Sequence, residues 1–186
     1  MTTARVTPLT GPDAATRFRR AAGHLPTGAS VVTALDRHDP FGMTVGSLTC
    51  ASYDPPMIIF FAQRGSRTAS VIEASGWFGV NVLGRGAEAQ CYRFASSAPD
   101  RFDDIELCES LSGMPRLRRA VLWMDCRLDS VVTAGDHLGF LGRVQDYDAT
   151  SCREQPLVYC KSRIAPLNAG SGRHLPTESL TWWGEL

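Results

Sequence analysis

The spacing of the strand-like segments limits the possible folds of this sequence more than any other feature. Segments rich in Val, Thr and aromatic residues, such as 29–35, 57–62 and 77–83, recur at short intervals between Gly, Pro and Asp turn residues. About six or seven strands and two or three short helices are predicted, without strict alternation of strand and helix. Strict alternation would produce a parallel sheet. The pattern therefore predicts a mostly β protein with short helices, whose antiparallel, Greek-key-like sheet closes into a barrel.

The same signals predict the other elements and the limits of the domain. Helices are expected over residues 13–23, 66–74 and 88–95, and further strands over residues 43–52, 121–132, 137–147 and 156–160. A turn is expected at Asp39-Pro40, and Asp13 is expected to cap the first helix. The chain is divided into a flexible lead of residues 1–12, one domain of residues 13–165 and a C-terminal tail of residues 166–186.

Composition and charge exclude several classes of protein. The 186 residues suffice for one compact domain. Lys plus Arg and Asp plus Glu both number 19, and the basic residues are scattered, so binding to nucleic acid is not expected. No run of about eighteen apolar residues occurs, so no membrane-spanning helix is expected. The N-terminus lacks the pattern of a secretory signal, and the six cysteines include no CxxC pair, which indicates reduced thiols and a cytoplasmic protein.

The familiar motifs of nucleotide binding, hydrolysis and metal binding are absent from the sequence. It contains no GxGxxG at a helix start, no P-loop, no HExxH and no GxSxG. The four histidines lie far apart, so no metal site is predicted. If the chain is an enzyme, chemistry supplied by a bound cofactor is therefore a simpler expectation than a protein nucleophile.

Small hydroxyl residues and glycines are concentrated in three segments, at residues 26–30, 42–52 and 66–68. Small residues let backbone N–H groups approach a flat ring or a phosphate, and the start of a helix offers further donors to an anion. Composition alone favours a plainer interpretation. Ser66 could simply cap the helix, and the threonines could be ordinary strand residues.

Four segments in order make the sequence similar to the short-chain flavin reductase family. They are PTGASVVT at 26–33, GMTVGSLTCASYDPP at 42–56, WFGVNVL at 77–83 and GDHLGFLGRV at 135–144. The resemblance implies an FMN-binding split β-barrel that forms a homodimer with the flavin near the subunit interface. It implies transfer of a hydride from NADH or NADPH to FMN or FAD, and delivery of the reduced flavin to a separate monooxygenase component.

The resemblance also assigns roles to particular residues. Thr27, Thr44, Val45, Gly46 and Ser47 would border the flavin ring, and Thr49 and Cys50 would continue that wall toward the ribityl chain. Ser66 and Thr68 would hold the phosphate, with Arg64 or Arg67 as charge partners, and Asn81 would support the site or serve a purely structural role. Gly46 stands where the family often has Asn, and Cys50 where it commonly has Ser.

His137 is the residue expected on the nicotinamide side. The resemblance places the Gly-Asp-His turn close to the flavin face, where the imidazole would touch the pyridine nucleotide. Asp136 would fix the turn or orient His137 rather than act as an acid or base. Hydride transfer needs little acid–base help, which agrees with the absence of a visible catalytic dyad.

Three other interpretations stay open from the sequence. The chain could hold a flavin tightly and act on its own organic substrate, or bind flavin without turnover. It could also be an interaction protein that docks through Trp182-Trp183. The sequence leaves the choice between FMN and FAD, and between NADH and NADPH, undecided.

Overall fold

A computed structural model of the chain describes residues 9–108, 110–149 and 155–167. Most of the predicted lead and tail, Cys152 and the Trp182-Trp183 pair lie outside these residues. The described cysteines are free thiols, and no helix in the described ranges combines the length and apolar character needed to span a membrane.

Strands form most of the described structure. The described helices are α1 (Ala14–Ala22), α2 (Arg67–Ser75) and α3 (Glu88–Ala95). The described strands are β1 (Thr27–Gly28), β2 (Ser30–Asp36), β3 (Asp39–Val45), β4 (Thr49–Tyr53), β5 (Pro56–Gln63), β6 (Trp77–Leu83), β7 (Leu107–Cys108), β8 (Arg116–Leu117), β9 (Ala120–Ala134), β10 (His137–Ala149), β11 (Leu157–Cys160) and β12 (Arg163–Pro166).

Seven of these strands form one sheet in the order β3-β2-β6-β9-β10-β5-β4, and each neighbouring pair is antiparallel. A three-stranded sheet, β1-β11-β12, and the β7-β8 pair complete the architecture. β5 and β6 are consecutive in sequence but are not neighbours in the sheet, because α2 carries the chain between them. The prediction of a mostly β, antiparallel fold is confirmed.

Phenylalanine rings form the centre of the larger core. Phe60 on β5 stacks on Phe140 of β10, with ring centroids 5.1 Å apart, and meets Phe78 of β6 edge-on at 5.3 Å. All three rings are completely buried, together with Val32 of β2 and Ile72 of α2. Side chains from both halves of the sheet thus share one interior, which requires the sheet to curve around it.

The prediction of one strand over residues 43–52 is wrong, because the chain forms two strands there, β3 and β4. The register of β4 on β5 pairs Thr49 with Ile59, so a continued ladder would pair Ser47 with Phe61. The Ser47 hydroxyl takes that place instead: it accepts from the Phe61 N–H at 2.9 Å and donates to the Phe61 carbonyl at 3.2 Å. A side chain thus replaces the backbone pair at this place, and the regular β4–β5 ladder begins only at Thr49.

Three smaller predictions are also corrected. The turn lies at Arg37-His38 rather than at Asp39-Pro40, and Pro40 is tolerated because β3 is an edge strand of the sheet. Asp13 makes no side-chain capping bond to α1. The strand over residues 156–160 is not the last, because Lys161 and Ser162 both adopt positive φ and turn the chain into β12.

The close contact between β10 and the Phe78 ring supplies a test of the core. A Cβ at Gly142 would overlap the Phe78 ring and lie 3.3 Å from Cys126 Cβ, whereas a Cβ at Gly28 would meet nothing. We expect Gly142→Ala to lower the free energy of unfolding by about 1–3 kcal/mol. Gly28→Ala, the matched control, should change it by less than about 0.5 kcal/mol. Urea titration followed by fluorescence measures both; equal stability of the two variants would contradict this packing.

Candidate functional site

A broad groove of about 1400 Å³ opens beside the break between β3 and β4. Residues 40–47 form one wall, and residues 61–63 and 65–68, from the end of β5 into α2, form another. Residues 94–102 after α3 border it further along, and Phe18, Ala22 and Leu25 line it from α1 and the turn that follows. Ala134 and His137, on either side of the β9–β10 turn, complete the lining. Five separate parts of the chain therefore meet around one space.

The structure brings together some of the predicted site residues and leaves others outside the groove. Those that line it are Thr44, Val45, Gly46, Ser47, Ser66, Thr68 and His137. Those that do not line it are Thr27, Thr49, Cys50 and Asn81. Of the two arginines considered as charge partners, Arg67 lines the groove and Arg64 does not.

The hydroxyl groups on the wall formed by residues 42–47 are engaged within the protein. Thr44 Oγ1 donates to the carbonyl of Cys91 at 2.7 Å, which fixes α3 against β3. Ser47 makes its two bonds to Phe61. Because both hydroxyl protons are used, this wall offers a ligand mainly backbone groups and apolar surface.

Gly46 lies where β1 passes behind the wall. A Cβ at this position would be 2.9 Å from Thr27 Oγ1, so the position has no room for a side chain unless Thr27 moves. The absence of Asn at position 46 therefore has a packing cause. Thr27 acts as the support behind the wall rather than as part of its surface.

Asn81 has the structural role that the sequence offered as the alternative to supporting the flavin site, and it does not line the groove. Its side chain is fully buried; its amide nitrogen is 3.3 Å from the carbonyl of Val31 and 3.4 Å from that of Pro115, and its oxygen accepts from the N–H of Leu117 at 2.8 Å. These bonds hold residues 115–117 against β2 and β6. Asn81 is therefore committed to the interior of the protein.

Thr49 and Cys50 lie on β4, at the edge of the large sheet and away from the groove. Thr49 is exposed, and the half-buried Cys50 thiol is 3.5 Å from the carbonyl of Ser52 and 3.7 Å from that of Met57. Within this subunit, neither residue extends the wall as predicted.

The start of α2 lies at the groove and carries polar groups. Ser66 is the N-cap: its Oγ accepts from the N–H of Ala69 at 3.4 Å and lies 3.3 Å from the sulfur of Met43. Thr68 is 2% exposed, yet it lines the groove. Ser66 therefore caps α2 and also borders the groove. The capping role and the binding role considered from the sequence are compatible.

Arg101 is a lining residue that the sequence did not indicate. It follows α3 in an irregular segment with no periodicity, and the only local signal is its place between Pro99 and Phe102. Its Nη1 donates to the carbonyl of Gly42 at 2.7 Å and its Nε to that of Ala98 at 3.0 Å. Partial burial lowers the pKa of Arg101, and the positive charge of Arg67 lowers it further.

His137 borders the groove beside the β9–β10 turn. Its Nδ1 is 2.7 Å from the carboxylate of Asp136, and its side chain is 44% exposed. The hydrogen bond and the charge of His137 lower the pKa of Asp136. The backbone N–H of Arg64 donates to the Asp136 carbonyl at 3.2 Å, which attaches the turn to β5. Asp136 therefore orients the imidazole, as predicted.

Comparison with known proteins decides the family. Residues 22–168 match the family model described as flavin reductase like domain. The chain belongs to this family. The resemblance found in the sequence is thus confirmed over most of its length.

Relatives of this flavin reductase family member include reductases of known function. The chain is 36% identical over 147 residues to the reductase subunit HsaB of a flavin-dependent monooxygenase from Rhodococcus jostii, covering 79% of this chain and 75% of that protein. It is 36% identical over 159 residues to the NADH-dependent FMN reductase AsuE2 of Streptomyces nodosus, covering 82% and 84%.

The solved structure of the NADH:FAD oxidoreductase SgcE6 from Streptomyces globisporus has the same fold. It superposes with a TM-score of 0.79 at 28% identity, covering 88% of this chain and 99% of that one. The antiparallel sheet of this flavin reductase family member is therefore the split β-barrel that the resemblance implied.

The residues around the groove suit a flavin. A flat ring needs apolar walls, which residues 42–47 supply together with small side chains, and a phosphate needs positive charge and hydrogen-bond donors. The start of α2, Arg67 and Arg101 supply the latter at the same groove. The donor set fits the group that the family name implies.

The pair formed by Asp136 and His137 can be tested without any ligand. We expect His137→Ala to raise the pKa of Asp136 toward its ordinary value, because the hydrogen bond and the imidazolium charge both disappear. The charge of Arg19 lowers the pKa of Asp136 less than His137 does, so Arg19→Gln should raise this pKa by a smaller amount. NMR titration of the Asp136 carboxyl carbon measures both shifts. An Asp136 pKa that is unchanged in His137→Ala would show that the imidazole does not contact the carboxylate in solution.

Proposed function

We propose that this protein is an NAD(P)H-dependent flavin reductase that transfers a hydride from nicotinamide to FMN or FAD and supplies reduced flavin to a separate monooxygenase. The observation that carries the proposal is the groove, which joins a wall of small and apolar residues, a helix start that carries Arg67 and a half-exposed histidine. The functions of the relatives HsaB, AsuE2 and SgcE6 support the same reaction.

The residues of the groove bind and orient rather than donate or accept protons. Residues 42–47 bound the space for the ring, and the close approach of β1 at Gly46 keeps that wall in place. Ser66 and Thr68 mark the phosphate end. When bound, the flavin supplies the electrophile that accepts the hydride. The protein contributes the alignment of two planar rings, which is a large part of the rate advantage in such a reaction.

His137 is proposed to contact the nicotinamide nucleotide. It lies beside the β9–β10 turn with more than a third of its side chain exposed, and Asp136 fixes its orientation through Nδ1. The opposite ring nitrogen, Nε2, is the one available to a ligand. The residue would position the nucleotide, and no general base is required at this place.

Absorbance at the nicotinamide band tests the proposed reaction. NADH oxidation by the purified protein should require added FMN or FAD and continue for many turnovers, which identifies flavin as a substrate. A tightly held yellow cofactor with negligible NAD(P)H oxidation would contradict the proposal. It would favour a flavoprotein with its own organic substrate or a binding module.

Replacing His137 should affect the nicotinamide nucleotide more than the flavin. We expect His137→Ala to raise the KM for NADH about tenfold, the loss of about 1.4 kcal/mol that one contact provides. The Kd for flavin, measured by fluorescence quenching, should stay within about twofold because residues 42–47 and 66–68 are untouched. His38→Ala, which lies outside this groove, is the matched control. Equal losses of nicotinamide and flavin affinity would show that His137 does not discriminate between them.

The homodimer is likewise a proposal, together with a cytoplasmic location. The edge strand β4 leaves Thr49 and the half-exposed Tyr53 open, and Tyr147 on β10 is 68% exposed. An edge strand with uncovered aromatic surface favours association with a second copy. Free thiols in the described part of the chain suit a reducing compartment. Light scattering coupled to size exclusion should give twice the monomer mass of 20.2 kDa, and a monomer would contradict the dimer.

A further inference from the structure

Met43 brings a sulfur atom to the groove. It lies on β3, in the wall formed by residues 40–47, and its half-buried side chain also packs against the larger core. Of the sulfur-containing residues that the structure describes, only Met43 lines the groove; Met57, Met114 and Met124 lie elsewhere. A thioether is polarizable, and an oxidant can convert it to the sulfoxide.

The described cysteines compete poorly for an oxidant that enters the groove. Burial raises the pKa of the Cys91 and Cys126 thiols, and the thiolate rather than the thiol is the reactive nucleophile. The other three described cysteines are less buried, but they do not line the groove. Among the described residues, Met43 is therefore the one whose oxidation would change the surface of the groove itself.

The Met43 sulfur contacts the start of α2. Ser66 Oγ donates to Met43 Sδ at 3.3 Å, and the same Oγ accepts from the Ala69 N–H at 3.4 Å. A sulfoxide adds a polar oxygen to this contact, and that oxygen is a stronger acceptor than the weakly accepting thioether. The added oxygen needs room beside Ser66 and competes for the donors at the helix start. Oxidation of Met43 would therefore disturb both the cap of α2 and the adjoining wall.

We propose that Met43 is an oxidation site through which the protein limits its own activity. The inference rests on the proposed function, because the oxidant is hydrogen peroxide, which forms when dioxygen accepts a hydride equivalent and a proton from the reduced flavin. The sulfur donates an electron pair to one peroxide oxygen, and the O–O bond breaks. The proton on the transferred oxygen moves to the departing hydroxide. The thioether is thus oxidised to the sulfoxide, and the peroxide is reduced to water.

Added hydrogen peroxide tests the site without turnover. Peptide mass spectrometry follows the gain of one oxygen atom at each methionine. FMN at about ten times its Kd should slow the oxidation of Met43 about tenfold, because the ligand covers the groove. Met57 is also half-buried but lies outside the groove, so FMN should not protect it. After oxidation, the Kd for FMN measured by fluorescence quenching should rise about fivefold to tenfold.

Turnover under air tests the self-limitation. Each variant is compared with its own initial rate of NADH oxidation in the presence of FMN. The rate of the wild type and of Met57→Leu should decline progressively, and catalase should prevent the decline because it removes the oxidant. Met43→Leu keeps the apolar character and approximate size of the side chain, and its rate should stay steady. Methionine sulfoxide reductase with a thiol reductant should restore both the rate and the FMN affinity of the oxidised wild type.

Several results would overturn the proposal. A decline in Met43→Leu as fast as that in the wild type would place the damage at another residue. Oxidation of Met43 that leaves the Kd for FMN unchanged would remove its effect on the groove, and a Met43 that stays unoxidised while Met57 gains oxygen would remove the site. A protein that oxidises no NADH would refute the proposed function. The FMN affinity of the peroxide-treated protein would still decide whether the Met43 sulfoxide disturbs the groove.

Discussion

The bond pair between Ser47 and Phe61 is the interaction on which the groove depends. The Ser47 side chain bonds both backbone groups of Phe61, so β5 keeps its hydrogen bonds there although β4 begins only at Thr49. The chain between β3 and β4 is thereby free to form a wall, and β5 remains continuous behind it. The opening in the sheet arises from one hydroxyl placed opposite the correct residue.

Regular elements were predictable because their signals are local. β6 and α3 have the predicted bounds, since each lies between clear turn residues and carries the period of its own structure. The break at Ser47 was not predictable, because it depends on a partner fourteen residues away. The β11–β12 turn was missed for a related reason: Lys161 and Ser162 adopt positive φ without the Gly or Asn that would announce it.

The candidate site likewise contains residues that the sequence indicates and residues that only the three-dimensional structure reveals. The resemblance assigned roles to the wall residues, the start of α2 and His137, which lie in contiguous motifs and all line the groove. It left two roles open for Asn81, since a motif residue can serve the core as well as a ligand, and the bonds to Val31 and Leu117 show the structural one. Arg101 lies in an irregular segment that carries no motif, and its relation to Gly42 exists only in three dimensions.

Helix α1 gives the groove a boundary that is separate from the core. None of its residues is buried, although Phe18 and Ala22 line the site. Substitutions at these two positions reshape the groove without opening a cavity beneath them, so they cost little stability. The opposite wall has no such freedom, because Gly42 and Gly46 lie 2.8–2.9 Å, measured from an added Cβ, from Phe94 and Thr27. In this chain, substitutions on α1 can therefore alter the shape of the groove at little cost in stability, whereas a side chain at Gly42 or Gly46 would require Phe94 or Thr27 to move.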